Sequence, residues 1–210
     1  MSSSNFPIII KNLKLEMKNL NIYYPQIYEL EDIYVQDKIN NSILEAIYNQ
    51  IVEQGYYQNP QTEITGTWEL KNNDKGILSL TLINYAFSGG AHGLTIVKGL
   101  TFSVETARKY ELKELFKPGA DYIKVLSQKV KEQIKERDIP TLDGFEYIKP
   151  DQDFYVADLT LVIFFQEYEI TPYVVGIPYF PISIYSIEDI INEDGPLGKL
   201  ISYRDTVKSA

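Results

Sequence analysis

Between Asp37 and Gln54 the apolar residues Ile39, Ile43, Ile47 and Ile51 recur every fourth position, with Ala46 on the same face and Gly55 just beyond. This is the stripe of an amphipathic helix closed by a glycine cap. The preceding residues keep a different period. Leu13, Leu15 and Met17 alternate with Lys14, Glu16 and Lys18, and after a turn at Asn19 the residues Leu20, Ile22 and Tyr24 begin a second strand expected to stop at Pro25. A long helix set directly after two half-buried strands commits the chain to a mixed α and β fold.

The rest of the chain continues this alternation. Ile64 to Leu70 and Ile77 to Phe87 read as a hairpin around turn material at Asn72 to Gly76, and Leu94 to Ser103 supplies a further strand. Leu112 to Phe116 is a short helical turn. Ile123, Leu126, Val130 and Ile134 then mark a second helix, with Lys124, Lys131 and Lys135 on its solvated surface. From Phe154 to Tyr185 the pattern is strand-rich, while Pro172, Pro178 and Pro181 confine their surroundings to loops or edges. The order β-β-α-β-β-β-α-β-β-β, with hairpin-length connections, predicts an α+β fold: an antiparallel β-sheet with two main amphipathic helices packed on it. The expected domain covers residues 8–186 as one continuous unit, with an N-terminal part at 8–105 and a C-terminal part at 106–186. Residues 187–210 are expected to form a tail.

Composition removes several function classes. The chain of 210 residues is 44% hydrophobic, enough for a full core in one domain or two small ones. Its net charge of -9 disfavours nucleic acid, whose phosphates call for a basic surface. Without cysteine there are no disulfides, thiol nucleophiles or thiolate metal sites. His92 is the only histidine, so sites that need two imidazoles are absent; no metal or other cofactor is expected. No segment approaches the roughly 20 apolar residues of a membrane-spanning helix, and no signal-peptide pattern is visible. The residues alone leave open a cytoplasmic protein or the trimmed, mature part of an exported one.

Two stretches stand out as candidate contact sites. Ser88-Gly89-Gly90-Ala91-His92-Gly93 lies between two strand patterns, and its three glycines imply positive φ angles or a close backbone approach. Ser88 lacks the strand-to-helix elbow of a hydrolase nucleophile, so no catalytic pair with His92 is expected. The second stretch is acidic and rich in tyrosine. From Asp138 to Asp194 there are twelve Asp and Glu residues against one base, Lys149, alongside Tyr147, Tyr155, Tyr168, Tyr173, Tyr179 and Tyr185. Such a stretch either forms a solvated face or steers a cationic protein. It contains no calcium-loop spacing.

Ser88 to Gly93, Tyr110 to Phe116, and Tyr168-Glu-Ile-Thr-Pro-Tyr173 followed by Gly176 and Pro178 resemble, in this order, the extracytoplasmic domain family of the anti-sigma factor RsiV and of the module that precedes the catalytic domain of the peptidoglycan deacetylase PdaC. The resemblance implies an α+β domain of the bacterial envelope without a catalytic centre. It implies a partner such as lysozyme, the ligand of RsiV, or cell-wall glycan. Ser88, Gly89, Gly90, His92, Gly93, Tyr168, Glu169, Pro172 and Tyr173 become the candidate contact residues. The competing expectations are a glycan-binding accessory module and a glycan hydrolase built on carboxylates.

Overall fold

The computed structural model describes residues 7–201, which fall into two compact units that divide between Lys109 and Tyr110. The class is α+β, with the strands in two separate sheets of five and three. Sequence periodicity marks strands without assigning them to sheets, so the single expected sheet is corrected here.

The first unit contains β1 (Ile9–Met17), β2 (Leu20–Tyr28), α1 (Ile33–Glu53), β3 (Glu63–Asp74), β4 (Ile77–Phe87) and β5 (Leu94–Ser103). Its sheet has the order β1-β2-β3-β4-β5. Neighbouring strands are antiparallel except β2 and β3, which run parallel from Leu20–Ile64 to Ile22–Gly66. That exception follows from connectivity, since α1 carries the chain back across the sheet between them. The four isoleucines of its stripe pack on Leu20, Ile22, Ile27, Ile64, Leu80 and Leu82. Each is almost completely buried, contributing about 1.5–3 kcal/mol.

α1 begins four residues before the helical pattern. Asp32 caps it by accepting from the Tyr34 and Val35 backbone N–H groups, while Ile33 and Tyr34 are exposed and give the first turn no apolar signature. At the other end Gly55 takes φ +77°, its N–H donates to Val52 O, and Tyr56 N–H donates to Ile51 O. This is the double closure expected of a glycine-terminated helix.

β2 does not stop at Pro25. It continues to Tyr28, with Pro25 opposite Asn12 of β1. Beyond Ile22 the strand has left β3, so the side of Pro25 that would need a donor has no strand to serve. Ile27 faces the same way, and its backbone is satisfied by a side chain instead: its N–H donates to Asn40 Oδ1 at 2.8 Å and its carbonyl accepts from Asn40 Nδ2 at 3.0 Å. The β3–β4 turn is also tighter than expected. Asn72 to Asp74 still pair with Ser79 to Ile77, leaving Lys75 and Gly76 as a two-residue turn with φ of 52° and 76°. After β5 the chain folds back, Lys109 bridging to Phe102 and Ala107 entering the core, which carries this unit past residue 105.

The second unit contains a 3-10 turn (Leu112–Leu115), α2 (Tyr122–Glu136), β6 (Phe154–Ala157), β7 (Thr160–Phe164), β8 (Tyr179–Ser183) and α3 (Pro196–Ile201). Its sheet is antiparallel in the order β6-β7-β8. Leu126 and Val130 of α2 share a core with Leu161, Ile163, Phe180 and Ile182. Pro181 lies on the edge strand β8, where α2 covers the outer carbonyls: Gln133 Nε2 donates to Pro181 O at 2.9 Å and Arg137 donates to Tyr179 O at 2.8 Å.

Residues 187–201 contribute to this core. Ile187, Ile191, Leu197 and Leu200 are buried in it, Ile191 bridges to Phe116, and Asn192 N–H donates to Leu115 O. Residues 202–210 of the expected tail lie outside the described residues.

Candidate functional site

The stretch Ser88–Gly93 connects β4 to β5, whose last paired residues are Ala86 and Leu94. Ser88, Gly89, Gly90, Ala91 and His92 are exposed, and Gly93 is buried. Gly89 and Gly90 adopt φ of 88° and 108°, a region that side chains rarely enter. Gly93 is required for a different reason: a Cβ there would collide with Ala86 O and the Tyr85 ring. The base of the loop is braced. Ser88 Oγ and Thr62 Oγ1 share a hydrogen bond of 2.8 Å, Asn59 Nδ2 donates to Ser88 O, and Gly93 N–H donates to the Tyr85 hydroxyl. His92 Nδ1 donates to Gly93 O at 3.1 Å. Ser88 is therefore bonded to Thr62 rather than to His92, and the two do not form a nucleophile–base pair.

In the second unit, Tyr168 to Tyr173 lie in the long connection from β7 to β8. Tyr168 holds φ of 64°, and its ring stacks on that of Tyr173 with centroids 5.6 Å apart and planes 23° apart. Between them Glu169 is an internal brace. Oε2 accepts from Gln166 N–H at 2.8 Å, and Oε1 accepts from Lys149 Nζ at 2.7 Å and from Gln152 Nε2 at 3.4 Å. Gln152 also donates to Phe164 O at the end of β7. The Glu169 carboxylate so ties the loop to the sheet. Its hydrogen bond to Lys149 is the largest influence holding that ammonium above its usual pKa of 10.5.

Thr171 is completely buried. Pro172 opens a 3-10 turn at Tyr173–Val175, with Val175 N–H donating to Pro172 O, and Gly176 ends it at φ 70°. The turn presents Val174, 88% exposed, and Tyr168 earlier in the same loop is half-exposed. Val174 is a contact candidate missing from the sequence reading, because a valine between prolines and tyrosines carries no motif. Asn59, Thr62, Lys149 and Gln152 were missed as braces for a similar reason: they act from other parts of the sequence, and only Lys149 carried a signal, as the one base within the acidic stretch.

None of the twelve carboxylates between Asp138 and Asp194 is buried; Asp153, Glu167 and Glu169 are half-buried and the other nine exposed. Among the described residues no group of three metal-ligating side chains is placed to hold an ion, and no helix is long and apolar enough to cross a membrane.

Comparison with known proteins divides along the same lines as the fold. Residues 12–95 match the model of the deacetylase PdaC, and residues 113–185 match a family described as a protein of unknown function, DUF3298. The anti-sigma-V factor RsiV of Bacillus subtilis (strain 168) is 39% identical over 92 residues, a match that takes in 38% of this chain and 32% of that protein. Two solved structures of DUF3298 proteins share the fold. One from Bacteroides fragilis has a TM-score of 0.67 at 16% identity and covers 95% of this chain and 98% of its own. One from Pseudomonas aeruginosa has a TM-score of 0.70 at 13% identity and covers 92% and 96%. The chain is RsiV- and PdaC-like in sequence and DUF3298-like in fold.

Proposed function

We propose that this RsiV/PdaC-like chain is a non-enzymatic extracytoplasmic binding module that recognises a cationic protein such as lysozyme. The observation that carries this reading is the construction of the Tyr168–Val174 loop. It exposes tyrosine and valine surface on a backbone held by Glu169, which lowers the ordering cost of association. The Ser88–His92 loop repeats the arrangement in the other unit, with an exposed apex over a hydrogen-bonded base. Exposed carboxylates along residues 138–194 favour a positively charged partner and would speed its approach. Chemistry supports a binder over an enzyme, since Ser88 and His92 are each engaged in bracing the loop.

The test is a binding isotherm with a C-type lysozyme at low and at physiological salt, with an acidic protein of similar charge as control. Saturable binding above the control that survives physiological salt supports the reading. Binding that disappears with salt reports charge attraction alone and turns the search to cell-wall glycan. Release of soluble product from cell wall by the purified chain would replace the binder with a carboxylate-based hydrolase.

A further inference from the structure

Among the described residues the first unit holds four buried polar atoms that its own hydrogen bonds leave unmatched: Thr81 Oγ1, and three that belong to Gln50, Gln54 and Asn84. Gln50 on the inner face of α1 and Gln54 at its C-cap lie one turn apart and are 3% and 9% exposed. Gln50 Nε2 donates to Leu82 O at 3.4 Å and Ile96 O at 3.2 Å, and Gln54 Nε2 donates to Asn84 O at 3.0 Å and Leu94 O at 3.2 Å. Only the NH2 end of an amide can serve two carbonyls, which determines the orientation of both side chains. Both Oε1 atoms are turned off the strands, and neither has a partner; Asn84 Nδ2 has none either.

Strand register brings these atoms together. Asn84 is paired with Ile96, so Gln50 sits over the rung on one side of Asn84 and Gln54 over the rung on the other. Asn84 follows Leu80 and Leu82 and precedes Ala86 in the alternation that faces α1. Asn84 is 1% exposed, and this register sets its Cβ on the strand position between the two pairs of carbonyls that the glutamines bind. Neither glutamine can swing toward it without giving up two strand carbonyls.

We propose that one internal water molecule is bound here, between α1, β4 and β5, accepting from Asn84 Nδ2 and donating one proton each to Gln50 Oε1 and Gln54 Oε1. One acceptor and two donors are within the capacity of a water, and buried polar groups are regularly matched in this way. The site lies under the last rungs of the β4–β5 hairpin, so it stiffens the base from which the Ser88–Gly93 loop projects. It does not depend on what that loop binds.

Water-to-protein cross-relaxation NMR on the whole chain, with asparagine and glutamine side chains labelled, tests the site. The expected result is cross-peaks of bound-water sign from the solvent line to the side-chain amides of Asn84, Gln50 and Gln54. Loss of the glutamine peaks in a folded Asn84→Leu variant completes the assignment. Absence of these cross-peaks in the wild-type protein overturns the proposal. Should Asn84→Leu fail to fold, a high-resolution crystal structure of the wild type decides: a water within about 3 Å of all three atoms supports the site, and direct Nδ2–Oε1 bonds overturn it.

Discussion

Lys149 Nζ lies 2.7 Å from Glu169 Oε1, and the same carboxylate accepts the Gln166 backbone N–H through its other oxygen. One side chain thus joins the segment before β6 to the loop that carries Tyr168 and Tyr173.

This relationship sets a pH dependence. Lys149 has its pKa raised above 10.5, mainly by the hydrogen bond to Glu169. A raised lysine pKa gives stabilisation that is complete below pH 10.5 and lost as pH rises through the folded value. Lys149 is largely exposed, so the effect on global stability is small. NMR titration of the Lys149 side chain should give a midpoint above 10.5 that moves back toward 10.5 in Glu169→Gln; an unchanged midpoint in the variant would show that Glu169 is not the cause.

Replacing Tyr173 and His92 together by alanine removes one side chain from each exposed loop. With lysozyme as ligand, affinity should fall about tenfold or more, while circular dichroism and melting temperature stay near wild type. A folded double variant with unaltered affinity would remove both loops from the binding site.

Asn40 makes a paired hydrogen bond with the backbone of Ile27 from a site only 7% exposed. Asn40→Ala should cost about 1–3 kcal/mol, because a backbone donor and acceptor are left buried. Urea unfolding would read this as a lower midpoint with an unchanged slope. Asn40→Leu should not restore stability, since it supplies volume without a partner for either group.

Gly93→Ala should destabilise by about 1–3 kcal/mol, since the added methyl meets Ala86 O and the Tyr85 ring. Gly90→Ala meets no atom and suffers only from the backbone strain of φ 108°. Thermal unfolding of the two variants should therefore rank Gly93→Ala as the weaker protein, with chemical-shift changes reaching Tyr85.

Much of the fold was legible in local pattern. The isoleucine stripe of α1, the β4 and β5 strands and the stripe of α2 needed only periodicity, because each buries one face and its residues record which. The start of α1 escaped because Asp32 and exposed residues form it. The second strand was cut short at Pro25 because the absence of a neighbour beyond Ile22 is invisible in sequence. For the candidate site, the glycine loop was legible as a tight connection and Tyr168 to Tyr173 as a motif. The role of Glu169 was not, since its partners Gln152 and Lys149 arrive from a different segment.

By itself the sequence determined the buried stripes of α1 and α2, most of the strand segments, and which thiol and two-imidazole chemistries are impossible, because these depend on residues within a few positions of one another or on residues that are missing. Only the tertiary structure decided that β2 runs parallel to β3, that the strands form two sheets, that Leu197 and Leu200 belong to a core, and that Asn40, Gln54 and Glu169 complete distant backbones. Those outcomes rest on which buried groups find partners far along the chain, and a polar side chain carries no local mark of the backbone atom it will meet.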